Sequence, residues 1–146
     1  MRPFNELDEG KKWFICWLKH NNFTDIIDTD SISQYCHWDM EAKYGEDGYI
    51  FEVKNRTFES TKYNDTAINY DKYEHLINSP YRAVLVTFWT DKWMMVDVKV
   101  NKPDNTFIKR CPHQTRFSDH TMINKEMVSW DIRNKNLLPY EKNLRY

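Results

Sequence analysis

Asp39, Glu52 and Lys54, in the frame WDMEAKYGEDGYIFEVKNR, combine residue types and spacing that could do chemistry. In an extended chain side chains alternate between faces, so Glu52 and Lys54 share one side while Phe51 and Val53 point to the other. Gly45 and Gly48 bracket Glu46 and Asp47, which predicts a hairpin joining 39–44 to 49–56. Folded symmetrically about Glu46 and Asp47, that hairpin sets Asp39 opposite residue 54. Two carboxylates, the backbone carbonyl of Val53 and a few waters form the hard oxygen set that Mg²⁺ or Mn²⁺ prefers. An ion held there would offset phosphate charge and acidify a bound water, and Lys54 would orient that water or hold a phosphate oxygen. Arg56 and Lys62 would extend a positive surface along a nucleic-acid backbone. The reaction class this chemistry points to is phosphodiester hydrolysis.

An acid-x-Lys triplet carries little information alone. It occurs at Glu9–Lys11, Glu41–Lys43, Glu52–Lys54 and Asp97–Lys99. The first falls on an expected helix, where positions i and i+2 diverge, and the second lies on the more polar hairpin arm. The fourth lies on an apolar strand, but the preceding arm, 81–89, offers no acid. The competing reading of Asp39, Glu52 and Lys54 is a solvated sheet face with a cross-strand salt bridge. Cys111, His113 and His120, with or without Cys36 and His37, match no recurrent zinc spacing. Trp89, Trp93 and Trp130 could stack bases if exposed, but core packing is their expected role. No serine or cysteine has a nearby base that would make it a nucleophile.

The elements that must position these groups follow from pattern. Residues 4–20 read as a helix, with Leu7, Phe14, Trp17 and Leu18 near helical spacing. A first strand is expected near 31–38, then the hairpin, then a polar loop at 57–65. Tyr70, Tyr73, Leu76 and Ile77 predict a second helix over 66–78, stopped by Asn78, Ser79 and Pro80. YRAVLVTFW and WMMVDVKV, separated by TDK, predict a second hairpin over 81–100 whose first arm is buried on both faces. Residues 101–146 are polar and proline-containing, and short strands and loops are expected there. At 146 residues the chain suits one domain, an α/β sandwich of sheet and helices.

Composition removes several classes. With three glycines, at Gly10, Gly45 and Gly48, neither a dinucleotide fingerprint nor a P-loop can be built, so no nucleotide cofactor is expected. Lys plus Arg number 21 against 22 Asp plus Glu, so any attraction to nucleic acid must be local. No apolar run reaches membrane-spanning length, and the first residues lack the apolar stretch of a signal peptide, which together predict a cytoplasmic protein with no membrane partner.

An N-terminal helix, Asp39 before a hairpin turn, the strand YIFEVKNR carrying Glu52-x-Lys54, a helix containing Lys72 and Tyr73, and a strongly apolar strand together resemble the PD-(D/E)xK nuclease superfamily. Phage-type endonucleases and Holliday-junction resolvases are the most similar members. The resemblance spans about residues 4–100 and leaves 101–146 as a C-terminal extension, irregular and β-containing. It implies a restriction-endonuclease-like core with a mixed central sheet flanked by helices. It also implies that Asp39 and Glu52 bind Mg²⁺ or Mn²⁺ and that Lys54 assists catalysis. DNA is the implied substrate and partner, with a homodimer as a further expectation and the host cytoplasm as the location if the chain is phage-encoded. Many members carry another glutamate on the first helix. Here Trp13 stands where that acid would fall, so Glu9, or else Glu6, is the candidate to complete the metal site. Lys72 is a peripheral candidate for contacting a phosphate. Diverged members have lost activity, so a silent module that binds nucleic acid or a protein is the alternative.

Overall fold

Helix α1, Glu6–His20, forms because Trp13, Phe14, Trp17 and Leu18 recur on one face and bury against a sheet. It ends in a Schellman-type turn: the Phe23 amide donates to the Leu18 carbonyl at 3.0 Å, and Asn22 adopts φ 67°, the left-handed conformation such a cap requires. The structure, a computed structural model, describes residues 6–29, 36–112, 122–133 and 135–139.

After α1 come β1 (Thr24–Asp28), β2 (Met40–Tyr44), β3 (Asp47–Asn55), β4 (Asp65–Asn69), α2 (Tyr70–Asn78), β5 (Arg82–Phe88), β6 (Lys92–Asp97), β7 (Asn105–Pro112), β8 (Met122–Asp131) and β9 (Leu138–Pro139). Six strands form one sheet in the order β1-β2-β3-β5-β6-β9. It is mixed, with β3 and β5 parallel and the other pairs antiparallel. The order β4-β8-β7 makes a second, antiparallel sheet.

The two faces of the first sheet carry separate clusters. Phe51, Val53, Val84, Val86 and Trp93 pack beneath α1. Ile50, Leu85, Trp89 and Val96 pack with Leu76 of α2 and with Ile68, Val128 and Trp130 of the second sheet. A bond between the buried hydroxyls of Thr66 and Thr87, 2.6 Å long, joins the two sheets inside this layer. Trp89, Trp93 and Trp130 are all buried, the core role expected of them. Among the described residues no helix is long and apolar enough to cross a membrane.

Three sequence expectations need correction. The first strand is Thr24–Asp28, not 31–38; Trp38 and Asp39 lie in the bend that enters β2, and 30–35 lie outside the described residues. Its alternation is broken by a register irregularity at Asp25, which adopts φ 51°, and this masks the strand in the sequence. The segment 66–78 is not one helix. Thr66 and Ile68 alternate inward as strand β4, and the helix starts only after Asn69, whose side chain accepts the Lys72 amide at 2.9 Å. The extension after Val100 is more regular than expected: β7 and β8 pair over eight residues, and Val128 and Trp130 enter the core.

Candidate active site on strand β3

Because Phe51 and Val53 lie under α1, Glu52 and Lys54 turn to the opposite face, towards α2 and β4. This is the alternation expected of an extended chain. The hairpin, however, turns on Gly45 and Glu46, not on Glu46 and Asp47. Gly45 has φ 61°, and the register runs Tyr44↔Asp47 to Met40↔Phe51. Asp39 therefore continues opposite Glu52, not residue 54, and its amide donates to the Phe51 carbonyl at 3.0 Å. A slip of two residues keeps every side chain on its face. Asp39 Oδ2 accepts the Val53 amide at 2.8 Å, so its carboxylate lies on the edge of β3 towards which Val53 directs its backbone groups.

Glu52 does not lie on a solvated sheet face. Its side chain is 1% exposed, and Oε1 lies 2.8 Å from Lys72 Nζ and 3.4 Å from Lys54 Nζ. Burying a carboxylate this completely is costly unless partners stand at contact distance, as these two ammonium groups do. The two ammonium groups respond in opposite ways. Burial lowers the Lys54 pKa, and the charges of Lys72 and Arg56 add to that effect while Glu52 and Asp39 oppose it. Burial also weighs on Lys72, but the charge and hydrogen bond of Glu52, with Asp39 behind them, outweigh it and hold the Lys72 pKa above the ordinary lysine value. Both lysines thus feel both carboxylates, and the four groups form one electrostatic cluster.

The other acid-x-Lys triplets have found different partners. Lys11 pairs with Asp28 at 3.1 Å and Lys43 with Asp25 at 3.9 Å. Lys99 Nζ donates to the Ser79 and Tyr81 carbonyls, while Asp97 receives Arg82 at 3.5 Å. In the triplet on β3 the ammonium sits beside the acid of its own motif.

The remaining candidates divide. Lys72 is central, not peripheral. Its position in the first turn of a helix, where the macrodipole disfavours a cation, four residues before the buried Leu76, was the signal that it faces inward to an acid. Arg56 turns into the protein: its guanidinium donates to the Ala67 carbonyl at 3.2 Å, and burial lowers its pKa against the pull of Asp65. It bridges the end of β3 to β4. Lys62 is exposed, with Nζ 5.1 Å from the Phe58 ring centroid and 5.2 Å from that of Tyr63. Glu9 is carried by α1, which packs on the other face of the sheet. Among the described residues no group of three or more His, Cys, Asp or Glu is placed to hold a metal ion, so Glu9 does not complete such a group. The Glu6 side chain, His113 and His120 lie outside the described residues. The three cysteines are free thiols, with Cys111 buried and Cys36 exposed.

No family model and no curated protein matches the sequence. Among solved structures the chain is similar to Hjc of Archaeoglobus fulgidus, a Holliday junction resolvase from an archaeal hyperthermophile. The match covers 87% of this chain and 84% of that one, with a TM-score of 0.54 and 14% identity. The fold is restriction-endonuclease-like. The similarity in fold extends over most of the chain. Part of the segment after Val100 joins the first sheet, where β9 pairs with β6.

Proposed function

We propose that this chain is a divalent-metal-dependent DNA endonuclease that hydrolyses phosphodiester bonds, with branched DNA as its substrate class. The observation that carries the reading is Glu52: a fully buried carboxylate, beside Asp39, contacted by Lys54 and Lys72 on a restriction-endonuclease-like sheet. Fold similarity to a resolvase supports the choice of substrate. We further propose that residues 1–146 act as one cytoplasmic domain and that two copies assemble to cut two strands.

The donors fit a hard cation. Asp39 and Glu52, with the Val53 carbonyl, match the one or two carboxylates by which Mg²⁺ or Mn²⁺ is held among its waters. Such an ion, when bound, supplies Lewis-acid stabilisation of phosphate charge. The chain's own residues do the rest. Lys54, whose pKa burial lowers, gives up its own proton more readily than an ordinary lysine, and as the neutral amine it orients the attacking water and accepts that water's proton at Nζ. Lys72, on the wetter side of Glu52, holds that carboxylate in position and offers its ammonium to a phosphate oxygen.

The second reading, a silent module on the same scaffold, draws on the fact that two lysines already offset Glu52 and that no three-acid group is formed among the described residues. Incubation with four-way junction, duplex and single-stranded DNA in Mg²⁺, Mn²⁺ and EDTA separates the two. Metal-dependent cleavage of junction DNA is expected. Binding without cleavage under every metal condition would favour the silent module.

A further inference from the structure

The ladder between β1 and β2 ends one residue short of Asp39. Its last pair is Asp28↔Met40, and the chain enters β2 through a bend at Trp38 and Asp39. A bend lacks the regular pairing that fixes a strand, yet a metal ligand must hold one direction. Thr29, the residue after β1, supplies what the ladder does not. Its amide donates to the Asp39 carbonyl at 3.0 Å, and its hydroxyl donates to the Trp38 carbonyl. Thr29 is 3% exposed, so little water competes for either bond.

These bonds act on Asp39 in a specific way. Two peptide planes flank its Cα, and their orientations set φ and ψ and hence the direction of Cβ. The plane before Asp39 is held at both ends, by the Thr29 hydroxyl on the Trp38 carbonyl and by the Phe51 carbonyl on the Asp39 amide at 3.0 Å. The plane after it is held by the Thr29 amide on the Asp39 carbonyl. With the backbone fixed, only χ1 and χ2 remain, and the Val53 amide, 2.8 Å from Oδ2, limits them. Without the hydroxyl, the Trp38 carbonyl loses the bond that steadies the first plane on the β1 side. Threonine suits this task, because branching at Cβ confines χ1 and gives the hydroxyl a settled direction.

We infer that Thr29 is a positioning residue whose hydroxyl sets the direction in which Asp39 presents its carboxylate to the divalent cation. The inference rests on the reading of Asp39 as a metal ligand. Thr29 acts through Asp39 and needs no contact with the ion, as outer partners of metal ligands commonly do.

The test is Mn²⁺ binding without DNA, read from the electron paramagnetic resonance signal of the free ion, beside the melting temperature. The site is defined by the binding that Asp39→Asn abolishes. Thr29→Val and Thr29→Ala, which lack the hydroxyl, are expected to weaken that binding about tenfold, and Thr29→Ser, which restores it, to stay within about threefold of wild type. Ser60→Ala removes another buried hydroxyl, bonded to Asp91 at 2.8 Å, and is expected to lower the melting temperature and leave Mn²⁺ affinity unchanged. Wild-type affinity in both hydroxyl-free variants would overturn the role of Thr29 and leave the metal site standing. A loss that Thr29→Ser shares in full, or that Ser60→Ala reproduces, would also overturn it, since packing or general destabilisation would then account for the effect. No Mn²⁺ binding by wild type would overturn the metal reading and this inference together.

Discussion

Lys72 Nζ lies 2.8 Å from Glu52 Oε1, the same oxygen that Lys54 approaches at 3.4 Å. One carboxylate oxygen thus serves two ammonium groups, from neighbouring positions on different elements. Lys72 is the closer and more exposed, Lys54 the more buried, and their proton affinities move in opposite directions.

That opposition gives a stability test. The Lys54 pKa is depressed in the folded state, so its charge costs stability at neutral pH, and the cost disappears as pH rises through the unfolded lysine value. The Lys72 pKa is raised, so its contribution is complete below the unfolded value and is lost as pH rises through the folded one. Lys54→Met should hold or raise the melting temperature near neutrality, and Lys72→Met should lower it. Melts from about pH 7 to about pH 11 should show the Lys72→Met deficit shrinking at the alkaline end. Equal losses in both variants at every pH would contradict this assignment.

Replacing Glu52 by Gln removes the charge that both lysines face while keeping the side chain's shape. Two ammonium groups are left without their carboxylate, at a cost of about 2 kcal/mol. Denaturant titration should read this as a lower midpoint with an unchanged slope. A variant as stable as wild type would show that the contacts at Oε1 contribute little to the fold.

Arg56 is assigned to the joint between β3 and β4. Arg56→Gln should cost about 1 kcal/mol through the lost bond to the Ala67 carbonyl, and leave the salt dependence of DNA binding unchanged. A smaller salt slope with unaltered stability would return Arg56 to the DNA surface.

Gly10 sets how closely α1 approaches the sheet. A Cβ there would fall 2.0 Å from Asn55 Oδ1 and 2.8 Å from Phe88 Cδ2; the amide can swing away, but the packed ring cannot. Gly10→Ala should therefore destabilise by about 1–3 kcal/mol despite alanine's better helix propensity. A gain in melting temperature would mean that α1 sits further from Asn55 and Phe88.

Much of this was legible in the chain. YIFEVKNR reads as a strand with Glu52 and Lys54 on one face because a two-residue period survives any small error of register, and the Asp39 hairpin did slip by two without moving a group to the wrong side. β1 was hidden because Asp25 interrupts its alternation, and β4 because the strand passes into α2 at Asn69 without a break. The pairing of β4 with β8 joins positions about sixty residues apart, which no local pattern reports. Arg56 read as surface because nothing near it in the sequence announces the Ala67 carbonyl; Lys72 read as peripheral because its place in the first turn of α2, one turn before Leu76, signals an inward direction but not that its partner is Glu52 on β3.

The central claim is that Asp39 and Glu52 receive a divalent cation. Anomalous scattering from crystals grown with Mn²⁺ tests it most directly. The account predicts a manganese peak coordinated by both carboxylates, with Lys72 Nζ drawn away from Glu52. Crystals saturated with Mn²⁺ that show no peak there, with both lysines still on Glu52 Oε1, would contradict it.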